Sequence, residues 1–249
     1  MAKQRIDQLL VARGLAESRA RAQALVMAGA VFAGERRIDK PGDMVPDDLA
    51  VEVRGKAIPW VSRGGLKLVA GLDAFAIDPA GMVAIDVGAS TGGFTDVLLS
   101  RGARRVYAVD VGYGQLAESL RHDPRVMVLE RTNARSLTAA QVPEPVDLVV
   151  CDASFISLRL VLPAALALTA PEAALVALIK PQFEAGREAV GKGGVVRDPA
   201  VRSQVCDGIR DWIAGLPGWT VTGIVESPIT GPAGNHEFLI GARKRPAAG

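Results

Sequence analysis

The stretch Ala84-Ile85-Asp86-Val87-Gly88-Ala89-Ser90-Thr91-Gly92-Gly93-Phe94-Thr95-Asp96 decides the fold of this chain. Residues 82–87 form a short apolar run closed by a glycine, the pattern of a buried strand. From 94 to 101 the apolar spacing is helical. Strand, glycine-rich turn and helix in that order aim backbone N–H groups and a helix N-terminus at the carboxyl edge of a sheet, where adenosine-type ligands sit.

Outward from this turn, apolar runs at 105–110, 126–130, 146–152, 174–180, 220–226 and 237–243 alternate with helical patterns at 94–101, 114–121, 158–169 and 199–214. Together with 82–87 they predict an α/β, Rossmann-like domain with a seven-stranded, largely parallel sheet. Only a loop, 227–236, joins the last two strands, so the last strand is expected to be antiparallel. An end-of-sheet hairpin of this kind is a feature of Rossmann-like methyltransferases. Ahead of the sheet, Arg63-Gly64-Gly65-Leu66-Lys67-Leu68 opens a helix with an expected apolar stripe of Leu66, Val69, Leu72 and Phe75.

Residues 1–55 read as a separate small α+β unit. Ile6, Leu9 and Leu10, then Ala22, Leu25 and Val26, fall at helical spacing on either side of Gly14-Leu15. Residues 31–37 read as a strand and turn, and 49–53 as a strand of period two. Residues 1–38 carry seven Lys and Arg against three Asp and Glu, whereas from Arg63 onward 19 basic residues balance 19 acidic ones. A basic unit on a neutral body points to a polyanionic partner. Its candidate polyanion contacts are Lys3, Arg5, Arg19, Arg21, Arg36 and Arg37, with Arg63 following the linker. That linker spans 56–62, with Pro59 interrupting regular structure and Trp60 as a packing anchor, and 63–249 forms the second domain.

At 249 residues and 49% hydrophobic content the chain can bury two cores. The longest apolar region, 160–179, is broken by Pro163, Pro171 and Glu172, so no membrane span is expected. The N-terminus has no apolar signal region. Cys151, Cys206, His122 and His236 lack zinc-site spacing, so no metal is expected. A reduced, cytoplasmic monomer without stable membrane association is the resulting expectation.

The glycine turn admits two chemistries. Residues 88–92 spell G-x-S-x-G, the nucleophile elbow of an α/β-hydrolase, and chain order permits a triad of Ser90, Asp152 and His236. Hydrolase elbows follow several strands and an oxyanion loop, whereas this one follows the first strand of its sheet. The other reading is a loop that holds S-adenosylmethionine, with Gly88 and Gly92 letting the backbone approach the ligand. Its cofactor-binding candidates are Asp86, Gly88, Ala89, Ser90, Thr91, Gly92, Gly93, Phe94 and Thr95. Asp110 ends the second strand about 20 residues on, where a ribose-binding acid belongs. Asn133 and Ala134 follow the third strand beside the expected adenine, and Asp152 ends the fourth. An NAD fingerprint wants glycine at position 90. A near P-loop at 186–193 lacks the Ser or Thr that holds magnesium and reads as a glycine loop over the active-site edge.

Methylating a ribose 2′-hydroxyl requires that its proton be removed or steered while the oxygen is held in line with the methyl donor. Lys180 ends the fifth strand and Glu237 opens the antiparallel last one, so both share an edge with Asp152. Lys67, on the helix before the sheet, completes a catalytic group in which Lys180 steers or removes the proton and Asp152 orients that lysine.

The order Lys67, Asp152, Lys180, Glu237 around the 86–96 motif resembles the FtsJ/RrmJ-like ribose 2′-O-methyltransferases. Arg5-Ile6-Asp7-Gln8-Leu9-Leu10 and Ser18-Arg19-Ala20-Arg21-Ala22 resemble the S4 RNA-binding domain. With Ser62 to Leu68 between them, the whole chain resembles the TlyA family of ribosomal RNA cytidine 2′-O-methyltransferases, also known as haemolysins. The resemblance implies a Lys67–Asp152–Lys180–Glu237 tetrad, S-adenosyl-L-methionine as cofactor, and ribosomal RNA in ribosomal subunits as partner. That family's linker reads Arg-x-Trp-Val, whereas Ala57 or Ile58 stands here in place of the arginine. A non-enzymatic assembly factor or a membrane-active haemolysin is the competing class. The intact tetrad and the lack of a basic amphipathic helix with an aromatic face speak against it.

Overall fold

The computed structural model describes residues 3–16, 18–27, 29–54, 59–191, 193–231 and 234–245; the linker positions Ala57 and Ile58 lie outside them. The chain divides into two compact units, Met1–Gly65 and Leu66–Gly249.

The first unit runs β1 (Lys3–Arg5), α1 (Ile6–Ala12), α2 (Arg19–Met27), β2 (Val31–Ala33), β3 (Arg36–Arg37), β4 (Met44–Pro46) and β5 (Glu52–Val53). Ile6, Leu9 and Leu10 of α1 meet Ala22, Leu25 and Val26 of α2 in one buried cluster, as the helical spacing predicts. β2 lies between β3 and β5, and β1 pairs antiparallel with β4. The strand expected over 49–53 shortens to β5, and the β1–β4 pair was not foreseen. Two- and three-residue strands carry no period to read.

The second unit opens in α3 (Gly64–Ala74) and continues as β6 (Val83–Val87), α4 (Gly93–Ser100), β7 (Arg105–Val109), α5 (Glu118–Arg121), β8 (Val126–Leu129), β9 (Val146–Cys151), α6 (Leu158–Ala167), β10 (Thr169–Ile179), α7 (Pro181–Glu184), α8 (Pro199–Ala214), β11 (Trp219–Glu226) and β12 (Phe238–Lys244). Its seven-stranded sheet has the order β11-β12-β10-β9-β6-β7-β8. Strands β6 to β10 are mutually parallel, while β12 runs antiparallel to both β10 and β11. β6 is buried throughout, as are all but one residue of β9 and the second half of β10, as a sheet covered on both faces requires. Along α3 and just past its end the buried stripe is Leu68, Leu72 and Phe75, with Leu66 and Val69 only half-buried. Leu72 and Phe75 are buried as expected, and Leu68 takes the place expected for Leu66 and Val69. The helix expected over 114–121 contracts to α5, because 110–117 is a turn built around Gly112 and Gly114.

Two registers place the site. Cys151 pairs with both Val87 and Ala177, bringing the ends of β6, β9 and β10 to one edge. Ile179 pairs with Phe238, so Lys180 leaves β10 beside the point where Glu237 enters β12.

Candidate active site

The glycine turn is held from below and behind. At Gly88, φ is +83° and a Cβ would stand 2.9 Å from the Ala153 backbone, so only glycine lets the end of β6 pass so near the exit of β9. Ser90 also adopts a left-handed backbone, φ 48°. Its N–H donates to Asp110 Oδ2 at 2.8 Å, and Asp110 Oδ1 accepts from the Gly112 N–H at 2.7 Å. Asp86 is fully buried, and its Oδ2 accepts from the Thr95 N–H and hydroxyl at 3.0 and 2.7 Å. Burial pushes the Asp86 carboxyl up to about 7 against the opposing pull of those Thr95 bonds.

Gly88, Ser90, Asp110, Asn133, Ala134 and Asp152 line a cleft of about 360 Å³ at this edge. Asp86, Ala89, Thr91, Gly92, Gly93, Phe94 and Thr95 do not line it. All of these but Thr91 are buried, so they shape the turn from within the core. Asn133 Oδ1 accepts from the Arg135 N–H, which leaves its amide nitrogen for the cleft.

Lys67, Asp152, Lys180 and Glu237 come together. Lys67 Nζ donates to Glu237 Oε2 at 2.7 Å and to Asp152 Oδ2 at 3.4 Å. Lys180 Nζ pairs with Asp152 Oδ1 at 2.6 Å, and donates to the Asp152 carbonyl at 3.0 Å and to Ser154 Oγ at 2.9 Å. The 2.6 Å contact lies off the hydrogen-bond axis, since Oδ1 receives no aligned donor among the described residues. Both lysines and Glu237 are buried, and only Asp152 is partly open. Asp152 thus joins two lysines, one backed by a second carboxylate. The arrangement balances two cations with two anions in a low-dielectric site.

The serine-hydrolase alternative has no geometry to support it. Ser90 Oγ meets Gln115 Oε1 at 3.3 Å, and His236 Nδ1 pairs with Glu226. Cys151, next to Asp152, offers no nucleophile either, since burial pushes its thiol up to about 12. At the near P-loop, Gly191 bridges to Val195 and Lys192 lies outside the described residues.

Among the residues that line the cleft, Ser154, Gln115 and Phe155 escape sequence reasoning. Ser154 and Gln115 reach the cleft from loops with no motif. Phe155 is 89% exposed at the cleft, with φ 65°, and its ring lies 5.0 Å from that of Phe183. Only its place after a strand-end acid could have flagged it.

In the first unit the basic residues divide. Arg5 Nε and Nη2 and Arg19 Nε all donate to the buried Asp7 carboxylate, as does Gln23. Arg37 pairs with Asp39, and Arg21 Nη1 reaches the Trp60 carbonyl at 3.4 Å. Lys3 and Arg36 are exposed, and Arg63 is half-buried. Trp60 packs on Gly65, where any Cβ would overlap its side chain. Among the described residues no group of three His, Cys, Asp or Glu could hold a metal ion, and no helix is long and apolar enough to cross a membrane.

Residues 60–244 match the FtsJ-like methyltransferase family and residues 4–50 the S4 domain. The 16S/23S rRNA (cytidine-2′-O)-methyltransferase TlyA of Mycobacterium tuberculosis is 51% identical over 240 residues, covering 96% of this chain and 89% of that protein. Hemolysin A of Brachyspira hyodysenteriae is 37% identical over 236 residues, covering 94% and 98%. A solved structure of a hemolysin-named protein from Streptococcus thermophilus superposes with a TM-score of 0.77 at 42% identity, covering 98% of this chain and 90% of that one. The cofactor of this methyltransferase is S-adenosyl-L-methionine, and the cleft suits it. Asp110 and Asn133 offer polar groups for a nucleoside, and Val87, Val109 and Ala134 offer apolar walls. The chain belongs to the FtsJ-like methyltransferases that carry an S4 domain, the family of TlyA and hemolysin A.

Proposed function

We propose that this chain methylates the ribose 2′-hydroxyl of cytidine in ribosomal RNA, in the small subunit, the large subunit or both. Residues 1–55 hold the RNA, 56–62 link, and 63–249 carry out the transfer. The observation that carries this reading is the buried chain of Lys67, Glu237, Asp152 and Lys180 at the same edge as the cofactor cleft. The cytidine and ribosomal specificity rests on what the mycobacterial relative is named for.

When bound, S-adenosylmethionine supplies an electrophilic methyl group on a sulfonium sulfur. The part left to the chain's own residues would be to hold the acceptor oxygen in line and to take up its proton. Lys180 holds that oxygen through Nζ, and the Asp152–Lys180 pair takes up the hydroxyl proton. Asp152 Oδ1 lies buried 2.6 Å from Lys180 Nζ, so the proton reaches the carboxylate by way of the lysine. Lys67 and Glu237 fix the Asp152 carboxylate from the other side. Phe155 offers an exposed aromatic face on which the target base can stack. A protein acting on ribosomal subunits works in the cytoplasm, and nothing in the tetrad calls for a second copy or a metal.

The test is tritiated methyl transfer to isolated small and large subunits and to intact ribosomes, followed by nucleoside analysis. Label recovered as 2′-O-methylcytidine is expected, and lost with Lys180→Ala. Label on a base, or none in either subunit, would sink the assignment.

A further inference from the structure

We propose that Gly231 is a positioning residue for the Lys67–Glu237 pair, its missing side chain being what lets the Glu237 carboxylate sit where Lys67 needs it. The inference rests on the tetrad reading above. Glu237 Oε2 accepts from Lys67 at 2.7 Å, while its other oxygen faces Gly231. A Cβ at 231 would overlap Oε1 outright and stand 2.7 Å from Cδ and 3.3 Å from Cγ. The backbone itself makes no demand for glycine here, since Gly231 is not among the residues with positive φ. The carboxylate imposes the requirement.

Neither partner can retreat. Glu237 is 1% exposed. The Gly231 N–H donates to the Asn235 carbonyl at 2.9 Å, and the Gly234 N–H to the Gly231 carbonyl at 3.2 Å. The buried Asn235 side chain is anchored in its own right, donating to the Gly194 carbonyl at 2.9 Å and accepting from the Val196 N–H at 3.2 Å. A methyl group at 231 is therefore relieved by displacing the carboxylate, which takes Lys67 Nζ and its 3.4 Å contact with Asp152 along. Misplacement of about 1 Å in a catalytic group costs about a hundredfold in rate.

The experiment compares wild type, Gly231→Ala, Glu237→Asp and the double variant in single-turnover methyl transfer to ribosomal subunits, with cofactor affinity measured alongside. Gly231→Ala should lower the rate about a hundredfold and leave cofactor affinity within about twofold. In the Glu237→Asp background, whose shorter carboxylate makes room, the same methyl group should cost little. Independent, multiplying losses in the double variant, or a Gly231→Ala rate near wild type, overturn the inference. Should Gly231→Ala fail to fold, a folded double variant supports the clash with the carboxylate and an unfolded one overturns it. Lys180→Ala separates the two readings: full activity there defeats the tetrad itself, whereas its loss beside an active Gly231→Ala defeats only the role of Gly231.

Discussion

Lys67 Nζ donates to Glu237 Oε2 at 2.7 Å across 170 positions of sequence, and both side chains are buried. Each ion has been stripped of water and is tolerable only beside its partner. Lys67→Met leaves the Glu237 carboxylate without its counter-ion and should cost about 3–5 kcal/mol of stability. Adding Glu237→Gln removes that orphan charge, so the double variant should regain stability without regaining methyl transfer. Urea denaturation of both proteins checks this. A double variant less stable than the single one contradicts the account.

Asp86 gives the protein a pH signature of its own. Burial raises its carboxyl to about 7 in the folded protein, against about 4 when unfolded. Between those values the folded state binds a proton that the unfolded state has released. The stability contributed by this group is thus full below about pH 4 and is lost as pH rises through about 7, a change on the order of a few kcal/mol. Asp86→Asn should flatten that part of the stability curve. Chemical denaturation of wild type and variant at pH 5 and pH 8 tests it, and equal pH dependence in the two would refute it.

The elements of the second unit were legible because buried parallel strands read as apolar runs and their ends carry the site. Lys180 and Glu237 could be placed on one edge from strand direction alone. What stayed hidden was local. The seven motif residues from Asp86 to Thr95 that miss the cleft look no different in sequence from Gly88 and Ser90, which line it. The C-terminal half of the α3 stripe, Leu72 and Phe75, was read correctly, whereas at its N-terminal half the buried positions are Lys67 and Leu68 rather than Leu66 and Val69. Arg5 and Arg19 looked like free cations, because a buried acid two residues from one and twelve from the other leaves no mark in a charge count.

Asp7 turns those two arginines into a fixed pair. Arg5 beside it holds its carboxyl well below the usual carboxylate range, helped by Gln23 and Arg19. Asp7→Asn adds one net positive charge to the unit, so simple attraction predicts tighter RNA binding. If instead Asp7 holds Arg5 and Arg19 in a phosphate-binding orientation, the variant should bind about tenfold more weakly, as two long side chains become free to move. Binding of ribosomal RNA fragments at two salt concentrations decides between them, and tighter binding at both would reject preorganisation.

Phe155 combines two observations that pull in opposite directions. Its left-handed backbone, φ 65°, is strained for an aromatic residue, and its ring is 89% exposed. A residue kept for stability would be glycine here, so Phe155→Gly should leave the fold as stable or more so, by about 1 kcal/mol. A base stacked on the ring is worth about 1–3 kcal/mol, so the same variant should lose roughly 5- to 150-fold in kcat/KM toward ribosomal subunits. Phe155→Leu keeps the backbone strain and an apolar surface but has no aromatic face, and should lose activity without gaining stability. Thermal melting read beside methylation rates separates the two effects, and a fully active glycine variant would remove Phe155 from the site.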